Sequence, residues 1–218
     1  DPFFMVASFL NPHDICEWHF LNIHPPDRLK FPELAGDLPP LPDNFEYDPR
    51  EPDFLVKYRK SIHSQPHNWD ENHWRYYIWT YYRHVEKVDA EIGRVLDALE
   101  ATGHLEDTVV IFTSDHGEGL GHHGHTHKNR LYEEILAVPL LVSWPGQLPE
   151  DVTDETYLTT GLDIFPTVCD FAGVAPPENL RGQSLRPVLE GATNAAPDYV
   201  VCESNVNQGR MVRTANYK

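Results

Sequence analysis

The sequence predicts an α/β fold in which a largely parallel sheet is flanked by helices. Strand-like and helical segments alternate from residue 1 to about residue 172, which is typical of a sheet covered by helices. Beyond them, residues 193–218 contain two short strand-like runs. We therefore expect a main α/β domain over residues 1–192 and the start of a small antiparallel subdomain over residues 193–218.

A second observation locates the functional edge of this sheet. The apolar run at residues 109–112 ends abruptly in Thr113, Ser114, Asp115, His116 and Gly117. In an open α/β sheet, ligands and metals are held at the carboxyl ends of the strands. The sequence therefore places an acid and an imidazole where such a fold builds its site.

The elements before this strand are an opening strand, an irregular segment and a long helix. The apolar run at residues 2–10 predicts the strand, which ends in a polar turn at residues 11–14. Nine prolines within residues 24–66 predict a long segment with little regular structure.

The long helix is expected from its N-cap at Asp70 to its C-terminal stop at Gly103. One face is apolar over many turns, and we assign it a structural role. The residues of that face are Trp74, Ile78, Tyr81, Val85, Val88, Ile92, Val95 and Leu99.

The remaining elements follow in short succession. We expect a strand at 108–113, a helix at 131–137 and a buried strand at 138–144. A helix over 163–172 ends at Gly173, and strand-like runs at 199–203 and 211–217 complete the chain.

Composition excludes several classes of function. The formal net charge of −17 over 218 residues argues against binding to nucleic acids or to anionic membranes. No apolar run approaches the roughly 18 residues that span a bilayer, and no signal peptide is visible. The three cysteines lack CxxC spacing, so they signal neither a disulfide framework nor a zinc knuckle.

The Asp115-His116-Gly117 triplet is the candidate metal site. It offers a carboxylate oxygen and an imidazole nitrogen side by side, and the glycine allows the backbone to turn sharply. Such a pair suits a divalent cation, and oxygen-rich partners from elsewhere would favour Ca²⁺ or Mg²⁺. In isolation, the same triplet would more often be a capped turn.

Lys128 ends a loop that also carries His122, His123, His125 and His127. A lysine among small and imidazole-bearing residues indicates an anion contact, although a solvated charge is the common case. The histidines could form a surface patch, trap a transition metal or donate protons to an anion, and His123 is the first candidate. His13, at the end of the opening strand, could equally be a turn histidine. No GxSxG elbow or P-loop is present.

Together and in order, these motifs resemble the sulfatase family over nearly the whole chain. The opening Phe-Leu-Asn-Pro-His resembles an earlier strand of the family, and residues 211–218 resemble its C-terminal hairpin. The other matching motifs are Ser114-Asp115-His116-Gly117, His123-Gly124, Lys128, Tyr132-Glu133-Glu134, residues 138–141 and Trp144-Pro145-Gly146.

The resemblance implies an alkaline-phosphatase-like α/β domain with bound Ca²⁺ or, in some members, Mg²⁺. By the same resemblance, Asp115 and His116 are metal ligands, while Lys128 and His13 hold sulfate oxygens and assist catalysis. We add His123 as a catalytic candidate and His125 as a substrate-binding candidate. The implied substrate is a sulfated small molecule or carbohydrate, in a periplasmic, secreted or lysosomal setting.

Two features of the family are missing from this chain. The formylglycine nucleophile arises from Cys or Ser within Cys/Ser-x-Pro/Ala-x-Arg, and neither this motif nor the paired aspartates of the first strand occurs here. We expect the chain to be the C-terminal portion of a sulfatase, inactive without the N-terminal half that supplies the nucleophile. A phosphodiesterase or phosphonate monoester hydrolase of the same superfamily, and a non-catalytic His-rich metal-binding module, are the alternatives.

Overall fold

A computed structural model describes residues 2–23, 32–53, 55–56, 69–192, 196–204 and 209–218. Within them, the helices are α1 (Ile15–Asn22), α2 (Glu71–Ala101), α3 (Glu133–Leu136), α4 (Ile164–Phe171) and α5 (Arg186–Leu189). The strands are β1 (Val110–Thr113), β2 (Leu140–Ser143), β3 (Val200–Ser204) and β4 (Gly209–Arg213). Short 3-10 turns lie at Pro32–Gly36, Leu105–Asp107, His122–Gly124 and Gly161–Asp163.

The chain forms two compact units. The first unit comprises Asp1–Ala98 and Glu118–Lys128, and the second comprises Leu99–Gly117 and Asn129–Lys218. The division into residues 1–192 and 193–218 stays a prediction.

An aromatic core holds the first unit together. The buried residues are Ile15, Trp69, Trp74, Tyr77 and Ile78. Trp69 packs edge-to-face on Trp74, with ring centroids 5.1 Å apart, and its indole N–H donates to the carbonyl oxygen of Asn22 over 2.7 Å. These contacts join α1 to the first turns of α2, because edge-to-face packing and a satisfied indole N–H both favour burial of tryptophan.

Helix α2 confirms the long helix expected from the sequence. The amide of His73 donates to the Asp70 carboxylate over 3.0 Å, which is the N-cap bond that the sequence predicts. Gly103 ends the helix with a φ of +71°, as a C-terminal glycine does. Trp74 and Ile78 of the apolar face are buried, whereas Val85 is exposed.

Helix α1 was not expected from the sequence. Its buried residues, Ile15 and His19, are one turn apart on one face. A histidine as the second buried position gives no apolar periodicity, so the pattern that predicts α2 is missing here.

The opening strand at residues 2–10 is not formed. None of the described residues pairs with this run, and its large side chains are exposed, with Phe4 at 74%. An apolar run satisfies only one condition for a strand, because the backbone also needs a neighbour to complete the hydrogen-bond ladder. The polar turn at residues 11–14 is confirmed, with the amide of His13 donating to the carbonyl oxygen of Leu10 over 2.9 Å.

The described part of the proline-rich segment is irregular, as expected. Apart from the 3-10 turn at Pro32–Gly36, residues 37–52 form only turns and bends. The predictions for residues 24–31, 54 and 57–66 lie outside the described residues.

The second unit contains β1 and β2 as an antiparallel pair, with Val110 opposite Ser143 and Thr113 opposite Leu140. The predicted parallel sheet is not seen among the described residues, where both strand pairs are antiparallel. Periodicity indicates that a segment is a strand but carries no information on the direction of its neighbour. The strand predicted over residues 138–144 is confirmed as β2, but the expectation that it is buried is wrong, because burial alternates along β2 and Leu141 is 62% exposed.

The remaining predicted elements of the second unit are present, with narrower bounds for the two helices and shifted bounds for the two strands, whereas helix α5 was not expected from the sequence. Helices α3 and α4 lie within the predicted segments, and Gly173 follows α4 with a φ of +65°. Strands β3 and β4 pair in antiparallel register from Val200 opposite Arg213 to Ser204 opposite Gly209. No described helix has the length and apolar character required to cross a membrane.

Candidate active site

The polar end of β1 places Asp115 and His116 side by side in the second unit. The ring Nδ1 of His116 lies 2.7 Å from the carbonyl oxygen of Gly117. A carbonyl oxygen only accepts, so Nδ1 carries the proton and donates, and in the neutral ring the acceptor lone pair is then on Nε2. That Nε2 atom is 3.4 Å from Oδ2 of Asp115, whose side chain is 85% exposed.

Local hydrogen bonds fix the conformation of this turn. The amide of His116 donates to Oδ1 of Asp115 over 3.1 Å, and the Ser114 hydroxyl donates to the carbonyl oxygen of His116 over 3.0 Å. The amide of Gly117 donates to the carbonyl oxygen of Ile135 over 2.8 Å, which ties the turn to α3. The carboxylate oxygen and the imidazole nitrogen are thereby presented together at the end of the strand.

The two predicted metal ligands fit a divalent cation. A histidine that binds a metal through one ring nitrogen commonly donates its other N–H to a carbonyl oxygen. The bond from Nδ1 of His116 to Gly117 is of this kind. The described residues contain no group of three or more His, Cys, Asp or Glu side chains that could hold a metal ion. Asp115 and His116 therefore offer half of a typical coordination sphere or less.

The loop from Glu118 to Lys128 belongs to the first unit. His123 and His127 have positive φ angles of 53° and 61°, so this loop turns tightly at both residues. Main-chain bonds close it, from the amide of Gly119 to the carbonyl oxygen of His127 and from Gly121 to His125. His125 stays a predicted substrate residue, but its side chain is buried, with the residue 1% exposed.

The turn that carries His13 lies beside the end of this loop. The main-chain carbonyl of His13 accepts from the amide of Cys16 over 2.9 Å, and Sγ of Cys16 lies 3.6 Å from Nδ1 of His127. Burial, Glu118 and Asp14 together raise the pKa of the Cys16 thiol, whereas the charge of Lys128 lowers it. Through this contact, Cys16 links the turn that carries His13 to the end of the loop, where Lys128 directly follows His127. Both His13 and Lys128 are predicted sulfate-binding residues.

The other ring nitrogen of His127 contacts a buried histidine, His19. Nε2 of His127 lies 2.9 Å from Nδ1 of His19, and Nε2 of His19 lies 3.4 Å from the hydroxyl of Thr126. Burial lowers the pKa of His19 to about 4, so the ring is neutral at physiological pH. No local sequence pattern indicates a role for Cys16 or His19, because their partners in the loop are more than 100 residues away.

A second buried contact supports the start of the loop. The hydroxyl of Tyr77 donates to Oε1 of Glu118 over 2.7 Å, and both residues are buried. Burial and the carboxylate of Glu118 raise the pKa of Tyr77 well above its ordinary value, so the phenol keeps its proton.

Replacement of Tyr77 by Phe removes the hydroxyl that this buried carboxylate accepts from. We expect a loss of roughly 2 kcal/mol in the free energy of unfolding, because a buried acceptor then lacks a charge-assisted hydrogen bond. Urea unfolding measures the loss, and the exposed Tyr82→Phe on the same helix is the matched control. Equal stability of the two variants would contradict the role of this bond.

The structure thus groups the predicted site residues by unit. His13, His123, His125 and Lys128 all lie in the first unit, and Asp115 and His116 lie in the second. Residues that the sequence did not single out, Cys16, His19, Tyr77 and Glu118, support the loop that carries Lys128.

Comparison with known proteins identifies the family. The family model for sulfatases matches residues 1–174. A Delta 4,5-hexuronate-2-O-sulfatase from Bacteroides thetaiotaomicron is 32% identical over 234 aligned residues, covering 100% of this chain and 47% of that protein. The chain therefore spans about half the length of this relative.

Solved structures agree with this match. The structure of a 2-O GAG sulfatase superposes with a TM-score of 0.78 and 31% identity, over 94% of this chain and 46% of that one. A phosphonate monoester hydrolase of Agrobacterium radiobacter superposes with a TM-score of 0.58 and 31% identity, over 65% of this chain and 29% of that one. These neighbours share the alkaline-phosphatase-like fold. Because the family model matches most of this chain, residues 1–174, the chain belongs to the sulfatase family.

Proposed function

We propose that this chain supplies part of the active site of an enzyme that hydrolyses sulfate esters or sulfamates. Membership of the sulfatase family supports the reaction class. The single observation that carries the proposal is the Asp115–His116 pair, in which a carboxylate oxygen and an imidazole acceptor nitrogen lie 3.4 Å apart at the end of β1.

In this proposal, Asp115 and His116 hold Ca²⁺, with Mg²⁺ as the second choice. A bound divalent cation would neutralise a sulfate oxygen and stabilise the charge that builds up around the attacked sulfur. The carboxylate of Asp115 is open to solvent, and the bond from Nδ1 of His116 to the carbonyl oxygen of Gly117 makes Nε2 the metal-binding atom of this ring.

The cationic and imidazole groups of the first unit would bind the anionic substrate. The ammonium of Lys128 and the ring of His13 would hold sulfate oxygens and assist departure of the alcohol. His123 would add a hydrogen-bond donor. His125 would act at the same subsite only if the loop opens, because the residue is buried in this arrangement.

The nucleophile and the remaining metal ligands would come from the N-terminal half of the intact protein. No Cys/Ser-x-Pro/Ala-x-Arg motif is present to form formylglycine, and the described residues offer only two adjacent metal ligands. We therefore expect the 218-residue chain to show no hydrolysis of sulfate esters by itself.

The substrate that we propose is a sulfated carbohydrate or a small sulfate ester. Because the chain carries a formal net charge of −17, long-range electrostatic repulsion would disfavour an anionic substrate. Binding must then rely on short-range contacts with Lys128, His13 and the metal. A setting outside the cytoplasm, whether periplasmic, secreted or lysosomal, is part of the same proposal.

A phosphonate monoester hydrolase is the second candidate. It is favoured by the structural similarity to the Agrobacterium radiobacter enzyme, which covers 65% of this chain. Similar metal and cation contacts would serve either tetrahedral anion, so the identity of the preferred ester separates the two candidates.

The intact protein tests this proposal by comparing esters and variants. We expect turnover of 4-nitrophenyl sulfate to exceed that of phenylphosphonate esters. Asp115→Ala and Lys128→Ala should each lower kcat/KM for the sulfate ester by roughly 100-fold or more, because Asp115 would hold the cation that stabilises developing charge and Lys128 would contact the sulfate directly. Chelation of the divalent metal should abolish turnover, and added Ca²⁺ should restore it.

Two exposed residues of helix α2 provide matched controls. Asp97→Ala and Lys87→Ala make the same changes of charge on an exposed helix face and should leave kcat/KM within about twofold of the parent. Preference for the phosphonate ester would favour the second candidate. Full activity of Asp115→Ala would exclude the proposed metal role.

A further inference from the structure

A short part of the proline-rich segment packs against the loop from Glu118 to Lys128 that carries the four histidines. Residues 42–45 form a turn in which the amide of Phe45 donates to the carbonyl oxygen of Pro42 over 2.9 Å. The Asn44 carbonyl oxygen accepts from the amide of His123 over 2.7 Å. A Cβ atom added at Gly121 would lie 3.5 Å from Cδ of Pro42, so the segment runs close to the loop at this glycine.

The side chain of Asn44 lies between two imidazole rings. Its Nδ2 atom is 3.3 Å from Nε2 of His123, and its Oδ1 atom is 2.6 Å from Nδ1 of His122. One residue therefore makes three contacts with two neighbouring histidines, two through the amide and one through the main chain. Both rings are partly buried by this arrangement.

The chemistry of the amide determines where each ring carries its proton. Nδ2 of asparagine only donates, so Nε2 of His123 accepts and the proton of the neutral ring lies on Nδ1. Oδ1 only accepts, so Nδ1 of His122 is protonated and donates. Both rings are then held in the Nδ1–H form, although a neutral imidazole in water favours the Nε2–H form.

We propose that Asn44 is a positioning residue that fixes the proton of His123 on Nδ1. His123 can then donate a hydrogen bond only from Nδ1, in a ring orientation set by Asn44. The inference rests on the proposed function in one respect, namely that the acceptor of this bond is an oxygen of the sulfate ester. The carboxylate of Asp48, three residues beyond this segment, interacts electrostatically with His123, and hydrogen bonds from Arg50 lower the pKa of Asp48 to about 2.

The proton positions are measured directly by NMR. In the full chain labelled with ¹⁵N-histidine at pH 8, long-range ¹H–¹⁵N correlations report which ring nitrogen is protonated. We expect both His122 and His123 in the Nδ1–H form. Nε2–H rings at both positions in the parent protein would overturn the inference without any variant.

Two substitutions should both move the proton of His123 to Nε2, but they should affect His122 differently. In Asn44→Asp, a carboxylate replaces the amide and accepts from both rings, so the proton of His123 should move to Nε2 while His122 keeps its Nδ1–H. In Asn44→Leu, both rings should revert to mainly Nε2–H. Asn216→Asp makes the same change of charge at an exposed position and should leave both rings as in the parent. A proton that stays on Nδ1 of His123 in Asn44→Asp would overturn the inference.

Kinetics of the intact protein separate this inference from the proposed function. We expect Asn44→Asp to lower kcat for a sulfate ester by roughly 100-fold, and His123→Ala to have a similar effect. The double variant should show no further loss, since both changes remove the same donor. Expected tautomers without any kinetic effect would retain the positioning role of Asn44 and overturn the link to the sulfate ester.

Discussion

Replacement of Gly117 by Ala is expected to destabilise the second unit by about 3 kcal/mol or more and to displace Asp115 and His116. A Cβ atom at this position would overlap the carbonyl oxygen of Glu134 and lie 3.0 Å from its carbonyl carbon. The obstacle is main chain at the first turn of α3, so it cannot move aside as a flexible side chain would. Overpacking against fixed atoms typically costs 1–3 kcal/mol and occasionally more.

The loss is measured by urea unfolding with a probe in the second unit. Trp144 is the only tryptophan of that unit, because Trp18, Trp69, Trp74 and Trp79 belong to the first. In protein labelled with 5-fluorotryptophan, the ¹⁹F resonance of Trp144 therefore reports on the second unit alone. The four other resonances report on the first unit in the same sample.

Gly161→Ala is the matched control in the same unit. A Cβ atom there would meet nothing within 4 Å, and the backbone does not require a positive φ. We expect its unfolding midpoint to stay close to that of the parent. If Gly117→Ala were as stable as Gly161→Ala, the close approach of the Asp115–His116 turn to α3 would be refuted.

The sequence predicts the position of this turn but not the reason for its glycine. The apolar run before Thr113 identifies β1, and the polar residues after it mark the end of the strand. A glycine in that place suggests only a sharp turn. The approach of Glu134 arises because the amide of Gly117 bonds to Ile135, a contact between residues 18 positions apart that no local pattern encodes.

The direction of the strands could not be predicted for a similar reason. Alternating helices and strands favour parallel sheets on average, whereas β1 and β2 pair in antiparallel register. Their apolar character fits either direction, because Val, Ile and Leu pack on a pleated surface in both. The helix signals were more dependable, since Asp70 and Gly103 act on the backbone next to them.

The candidate site divides in the same way. Asp115, His116 and Lys128 could be selected from the sequence because they lie within short, ordered motifs. Cys16, His19 and Asn44 could not, because each meets its partner across 78 or more residues. These long-range contacts are the ones that orient the loop before Lys128.

Acidification is expected to destabilise the first unit through His19. This residue is fully buried, and burial lowers its pKa from 6.5 to about 4. Between these two values, the unfolded chain binds a proton at His19 that the folded protein does not. The stabilisation is therefore complete above pH 6.5 and is lost as the pH falls through 4, by roughly 2 to 3 kcal/mol in total.

Urea unfolding of the parent and of His19→Asn from pH 7 to pH 4 measures this contribution. Asparagine can place its Oδ1 near the position of Nδ1 in His19 and so accept from His127, but it does not titrate in this range. We expect the free energy of unfolding to fall less steeply with decreasing pH in the variant. The difference should be greatest near pH 4, because carboxylates common to both proteins cancel in the comparison. Equal slopes would mean that His19 binds its proton as readily in the folded state as in the unfolded chain. Because His19 holds His127 directly before Lys128, the same loss at low pH should loosen the end of the loop on which sulfate binding is proposed to depend.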